Sequence, residues 1–234
     1  MNKEITKQII ALVPMKGHSE RVPRKNMRDF CGLPLMLWIL KSLECSKFIR
    51  PIFINTDSQE IASEALANFK KVKIIERPEN IRGDFVSMNE IIAYDLSQID
   101  GEHFLQTHST NPLLSTQTID KAIDFYFDNI NQYDSLFSVN RLQKRLYWKD
   151  GKPINHNPKE LLRTQDLGLI FEENSNIYIF SQTSFFRKVK TSKIGLKPLM
   201  FKMDKLEAVD IDEEQDFKMA EALCKLNMMR EAFE

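Results

Sequence analysis

The chain has 234 residues, and its 33 lysines and arginines are balanced by 33 aspartates and glutamates. A formal charge of zero argues against affinity built on a broad cationic surface, the basis of general nucleic-acid binding, while leaving room for a local basic site. At 42% hydrophobic and 28% charged residues, the composition is that of a globular protein long enough for one domain with a sizeable core.

The longest strongly apolar stretch, residues 33–40, falls far short of the roughly 20 residues a membrane helix needs. The N-terminal sequence has neither a signal-like apolar region nor a small-residue cleavage site. Cys31, Cys45 and Cys224 are odd in number and form no CxxC pair. Reduced thiols in the cytoplasm are the expectation.

In chain order, residues 9–13 read as a strand buried on both faces, because the run is continuous and rich in β-branched side chains. A polar, basic loop follows, and residues 35–43 read as a helix with Pro34 in its first turn. Residues 51–55 and 72–76 are expected as strands. Between them lies a helix that Asp57 or Ser58 can cap. Residues 88–96 read as helix, 103–107 as extended, and 115–129 as helix after the Asn111-Pro112 turn. Strands separated by helices of this length predict βαβ units and a mainly parallel, doubly wound α/β sheet. Beyond residue 133 the pattern changes. Residues 135–140 and 146–148 read as strands, and Lys149-Asp150-Gly151-Lys152 has the residues of a hairpin turn. A polar excursion comes next, then strands at 176–180 and 208–211 and a helix over 213–229.

Ligands of open α/β sheets bind beyond the carboxyl ends of the strands. The loop after the first strand carries Lys16, Arg21, Arg24 and Lys25 together with Gly17 and Ser19. Backbone N–H groups and cations in one loop suit a polyphosphate, although neither a Walker A nor a GxGxxG pattern is present. A solvated basic loop is the plainer reading, and the place after a buried strand favours phosphate. Near the C-terminus Asp210 and Asp212 alternate about Ile211, so on an extended segment both carboxylates face one side. Such a pair is a hard oxygen site suited to Mg²⁺ shared with phosphates. For Asp212, Glu213, Glu214 and Asp216 the competing role is capping and solvation of the following helix. His18, His103, His108 and His156 are scattered, which argues against zinc. Ser19 and Ser109 lack a nucleophile elbow. The phenylalanine-rich runs read as core.

These residues bring a family into view. VPMKGHSERVPRKN resembles the PARGGSKGIPRKN signature of the acylneuraminate cytidylyltransferases. INTDSQEIA, ERPENIRGD, HSTNPLLS, RTQDL, ENSNIYIF and VDIDEEQDFKMAEAL resemble further blocks of that family in its order. The resemblance implies a Rossmann-like nucleotidyltransferase fold, with a small excursion over about residues 140–170 for dimer contact, and a homodimer. It implies a reaction of CTP with a 2-keto-3-deoxy sugar acid that gives the CMP-sugar and pyrophosphate. By motif position Lys25 would hold phosphates near the transferred group, and Lys16, Gly17, Ser19, Arg21, Asn26 and Arg77 would bind nucleotide. Asp210 and Asp212 match a Mg²⁺-binding pair. His108, Arg163, Gln165 and Asn174 fall in blocks associated with the acceptor.

The sequence departs from the pattern in places. Lys16 stands for an arginine, which keeps charge and loses the bidentate fork. His18 replaces a glycine, His108 a glutamine, Thr164 an arginine, and Glu173-Asn174-Ser175 an LNG triplet. These changes leave N-acetylneuraminate itself no better placed than a related nonulosonic acid. Two rival readings are a metal-dependent glycosyltransferase with a DxD site and a catalytically inert nucleotide-binding homologue.

Overall fold

The computed structural model describes residues 7–187 and 192–231. β1 (Ile9–Leu12) is followed by the basic loop and a two-stranded ribbon, β2 (Asp29–Phe30) and β3 (Leu33–Pro34). Helix α1 (Leu35–Cys45) starts directly after Pro34, which occupies the cap position rather than the first turn, and buries Leu35, Met36, Ile39, Leu40 and Leu43. β4 (Ile49–Thr56) leads into α2 (Gln59–Asn68), whose Ser58 cap accepts the Ile61 N–H at 3.4 Å. β5 (Val72–Glu76) and α3 (Met88–Gln98) follow, and Ser87 and Glu90 form a reciprocal capping box at the start of α3. β6 (His103–Gln106) and α4 (Thr116–Asn129) complete the alternating part, with Ser115 accepting the Thr118 N–H at 3.2 Å.

The second half is built from β7 (Ser135–Leu142), β8 (Ile170–Ser181), α5 (Gln182–Phe186), β9 (Pro198–Lys202) and α6 (Glu214–Glu231). One seven-stranded sheet runs in the order β5-β4-β1-β6-β8-β7-β9. The first four strands are mutually parallel, and β8 is antiparallel to both neighbours. β9 pairs parallel with β7. Ala11 lies between Ile52 and Leu105, so β1 is hydrogen-bonded on both sides, as its apolar run predicts. On one face Val13, Ile52 and Ile54 pack with α1, α2 and α4, and on the other Leu12, Phe104 and Phe180 pack with Ile92 and Leu96 of α3. Phe185 belongs to this second layer, fully buried against Phe180. Among the described residues no helix is long and apolar enough to cross a membrane.

Two expected strands do not form. Residues 146–148 contribute a single bridge, Tyr147 to Pro153. The turn itself is present: the Gly151 N–H reaches the Trp148 carbonyl at 2.9 Å, and Gly151 takes φ 82°, which favours glycine. With Tyr147 and Trp148 more than half exposed, no strand or helix among the described residues covers these side chains, and an uncovered hairpin gains little by extending its ladder. Residues 208–211 likewise join no ladder: Ala208 closes a turn, and the Ile211 N–H goes to the Thr110 carbonyl at 3.0 Å. Their β pattern loses to the turn before them, where Asp204 binds the Leu206 and Ala208 N–H groups at 2.8 and 3.1 Å. The edge position beside β7 goes instead to PLMFK of β9, whose weak alternation gives no such signal.

Candidate active site

The parallel order β5-β4-β1-β6 places β4 and β6 on opposite sides of β1, so the crossovers diverge there and leave a crevice at the carboxyl ends. A cavity of about 380 Å³ occupies it. The loop after β1 forms one wall through Lys16, Ser19, Arg21, Lys25 and Asn26, and the segment after β5 another through Arg77 and Asp84. His108, Ser109 and Thr110 close it after β6.

The basic loop is held down by its small residues. The Gly17 N–H donates to Asp57 Oδ1 at 2.7 Å, and a Cβ at this position would stand 2.9 Å from Ser58 Cβ, closer than side chains pack. Asn26 Nδ2 donates to the Lys16 carbonyl at 3.0 Å, while its Oδ1 accepts from Ser109 Oγ at 2.6 Å. Arg77 is 4% exposed and donates to Asn55 Oδ1 at 2.7 Å and to the Asn55 carbonyl at 2.9 Å. Asn55 in turn donates to the buried Asp95 at 2.5 Å. Asn26 and Arg77 thus line the cavity with most of their polar groups committed to holding its walls. Burial lowers the Arg77 pKa, against the charges of Asp57 and Asp95.

Three cations of the basic loop face the cavity with partners already in place. Lys16 pairs with Asp84, Arg21 with Asp212 at 2.7 Å, and Lys25 Nζ donates to the Ile211 carbonyl at 2.6 Å. Burial holds the Lys25 ammonium below its usual pKa, opposed by the carboxylates of Asp212 and Asp210. Asp210 is half-buried, and burial raises its pKa against a hydrogen bond with Thr110. Its Oδ1 is buried with no partner. Asp212 is exposed, and it does not cap α6: the Asp212 and Glu213 N–H groups both go to Asp216 Oδ2, at 3.1 and 2.7 Å. Glu214 instead holds Arg28 through two bonds of 2.6 and 2.8 Å.

An unpartnered, buried carboxylate oxygen beside a second carboxylate fits a hard divalent cation. Among the described residues no group of three acidic, imidazole or thiol side chains could hold such an ion alone. Two aspartates would therefore need oxygens from elsewhere, as a nucleotide would supply.

The acceptor candidates divide. His108 lines the cavity, and burial, reinforced by the charges of Lys193 and Lys25, pushes its pKa down to about 3, so the imidazole is neutral. Asn174 borders a second cavity of about 400 Å³ together with Glu173, Ser175 and Asp210. Arg163 and Gln165 lie elsewhere, exposed on the arm between β7 and β8. There Arg163 pairs with Asp166 at 2.7 Å, and the Gln165 carbonyl accepts from Gln143 at 2.7 Å. His18 is exposed and lines neither cavity. Sequence reasoning passed over Asp84, Thr110 and Lys193. The first two stand inside motif blocks of the family; Lys193 stands in none.

The family model described as Cytidylyltransferase matches residues 10–234. The N-acylneuraminate cytidylyltransferase A of Danio rerio is 28% identical over 228 residues, covering 92% of this chain and 50% of that protein, so the chain spans about half the length of that relative. The post-translational flagellin modification protein B of Campylobacter coli is 27% identical, with 93% and 95% of the two chains covered. Among solved structures, a CMP:2-keto-3-deoxy-manno-octonic acid synthetase complexed with CTP superposes with a TM-score of 0.68 at 10% identity, covering 94% of this chain and 99% of that one. That likeness supports the sheet order described above. With a family match that takes in the whole sheet and both walls of the crevice, the chain belongs to the cytidylyltransferase family.

Proposed function

We propose that the chain transfers the cytidylyl group of CTP to the anomeric 2-hydroxyl of a 2-keto-3-deoxy sugar acid, releasing pyrophosphate. The observation that carries this reading is the cavity at the β1–β6 divergence, with Lys16, Arg21 and Lys25 on one wall and Asp210, whose Oδ1 is unpartnered, close enough to act on the charge of Lys25. The sugar hydroxyl attacks the α-phosphorus in line; its O–P bond forms as the bond to the β-phosphate oxygen breaks, and the hydroxyl proton passes to solvent. Such a reaction depends on positioning and on offsetting charge.

In this reading the half-buried Lys25 stabilises charge moving onto the leaving pyrophosphate, because low solvent exposure strengthens the attraction. Lys16 and Arg21 exchange Asp84 and Asp212 for phosphate oxygens. Gly17 and Ser19 let the loop come close to the nucleotide, while Asn26 and Arg77 keep the walls at a fixed separation. Asp210 and Asp212 would hold Mg²⁺, which supplies Lewis acidity toward phosphate and hydroxyl oxygens. His108, neutral, offers the sugar a hydrogen bond without repelling Lys25, and Asn174 borders the far side of Asp210.

Arg163 and Gln165 are assigned to the acceptor through a homodimer, in which the arm of one protomer reaches the site of its partner. The exposed Trp148 and Leu161 on that arm support the assignment. A cytoplasmic setting follows from the need for CTP.

The test is pyrophosphate release with Mg²⁺ across the four nucleoside triphosphates and a panel of 2-keto-3-deoxy sugar acids. Release that requires CTP and one such acid is the expected result. Nucleotide binding without release on any acid refutes the reaction and favours the inert homologue. A chain that binds no nucleotide refutes the assignment of the loop. The family match leaves the glycosyltransferase reading of Asp210 and Asp212 without support.

A further inference from the structure

Gln106 ends β6 and sits opposite Tyr178 of β8. Both are buried. Against them lies Lys193, its ammonium 3.2 Å from Gln106 Oε1 and 3.6 Å from the centroid of the Tyr178 ring. An ammonium group only donates, so the amide oxygen must be the atom that faces it. That turns Gln106 Nε2 toward the Thr107 carbonyl at 2.9 Å and His108 Nε2 at 3.1 Å. His108 therefore accepts at Nε2 and carries its proton on Nδ1. On the other side the Tyr178 hydroxyl bonds Glu173 and meets Ser175 Oγ at 3.1 Å, at the rim of the cavity that contains Asp210. The Lys193 group thus lies between His108, which lines the first cavity, and Glu173 and Ser175, which line the second.

A cation enclosed in this way is costly unless an anion meets it. Among the described residues Lys193 has a neutral oxygen and an aromatic face for partners, and no carboxylate in ion-pair contact. The cations of the basic loop differ: Lys16 and Arg21 hold carboxylates, and Lys25 lies near Asp210 and Asp212 on the nucleotide side. Burial lowers the Lys193 pKa to about 8, against the charge of Glu173, which leaves it charged at neutral pH.

We infer that Lys193 is a specificity-determining residue that receives the carboxylate of the acceptor, with Gln106 and His108 as the neutral frame that orients it. The inference rests on the acceptor class proposed above. A sugar acid of that class carries one carboxylate beside its anomeric carbon. With the nucleotide phosphates met by the loop cations, that carboxylate is the anion left for Lys193, on which Glu173 acts through space without an ion-pair contact.

The experiment is steady-state kinetics of wild type, Lys193→Met and Lys193→Arg, using the sugar acid that wild type accepts and its carboxamide. Methionine keeps the unbranched stem over the Tyr178 ring and removes the charge. The expected result for Lys193→Met is a KM for the acid raised about tenfold or more, a KM for CTP within about twofold of wild type, and loss of the preference for acid over amide. Lys193→Arg retains that preference. An unchanged acid preference in Lys193→Met overturns the inference. So does a raised KM for CTP alone, which assigns the charge to a nucleotide phosphate. Parallel losses toward both substrates with a lowered melting temperature mark a packing role and overturn it too. Wild type that turns over none of the acids refutes the proposed reaction itself, and this inference with it.

Discussion

Replacing Asp95 by asparagine tests how Arg77, which lines the cavity, is held from behind. The Asp95 carboxyl is 1% exposed and accepts the Asn55 amide at 2.5 Å, and Asn55 in turn holds Arg77. Burial pushes the Asp95 pKa up to about 7 from 3.8, against the bond from Asn55 and the charge of Arg77. In the unfolded chain the group titrates near its ordinary value. Between the two values the folded state binds the extra proton, so the contribution of the protonated form is complete below about pH 4 and is lost as pH rises through about 7. A shift of about three units, at about 1.4 kcal/mol each, sets the loss at no more than about 4 kcal/mol. In Asp95→Asn the side chain is neutral at every pH, and its oxygen still accepts from Asn55. Urea unfolding at pH 5 and pH 8 is the assay. Wild type is expected to lose stability between these values relative to the variant, and the variant to be the more stable of the two at pH 8. Parallel pH profiles for the two proteins would refute the reasoning.

Four further outcomes are expected. Asp210→Asn should lower turnover on the order of a hundredfold or more while far-ultraviolet circular dichroism stays unchanged; activity that survives in a chelator would contradict its assignment. Gly17→Ala places a methyl group against Ser58 and should raise the KM for CTP with a stability loss of about 1–3 kcal/mol, read by initial rates and thermal melts. Phe217 packs edge-on against Phe30, with ring centroids 5.5 Å apart, and beneath the Arg28 guanidinium at 4.1 Å. Phe217→Ala should therefore cost about 3–5 kcal/mol in denaturant unfolding. Lys193→Met should separate the two Michaelis constants as described above.

The alternating half of the fold was legible because its signals are local. A parallel strand covered on both faces reads as an unbroken apolar run, as in residues 9–13, and Ser58 and Ser115 mark helix starts by their own chemistry. The edge of the sheet was not, since whether residues 198–202 or 208–211 extend β7 is decided by the Asp204 turn, a competition that alternation alone does not register. The site behaves in the same way. Cations after the first strand and alternating aspartates carry their signal in the sequence itself, and the proposed phosphate and metal chemistry starts from them. That Asn26 and Arg77 serve mainly as ties depends on Ser109 and Asn55, which are distant in sequence. Lys193 was invisible for a related reason: its role comes from Gln106 and Tyr178, and its own neighbours in the chain carry no pattern.

The ties between the basic loop and the start of α6 have a kinetic meaning. Arg21 meets a residue 191 positions later, and Lys25 and Arg28 meet partners 186 positions later. Contacts of such separation close slowly, because the loop entropy is lost before the contact forms. During synthesis the loop after β1 emerges long before α6 exists to meet it. Until that end of the chain arrives, Arg21 and Lys25 crowd together without the charges of Asp210 and Asp212, while the walls after β1, β5 and β6 need no residue of α6. The carboxylates that offset the basic loop thus arrive last, and the Arg21–Asp212 and Lys25–Ile211 contacts mark the moment at which the two ends of the described chain come together.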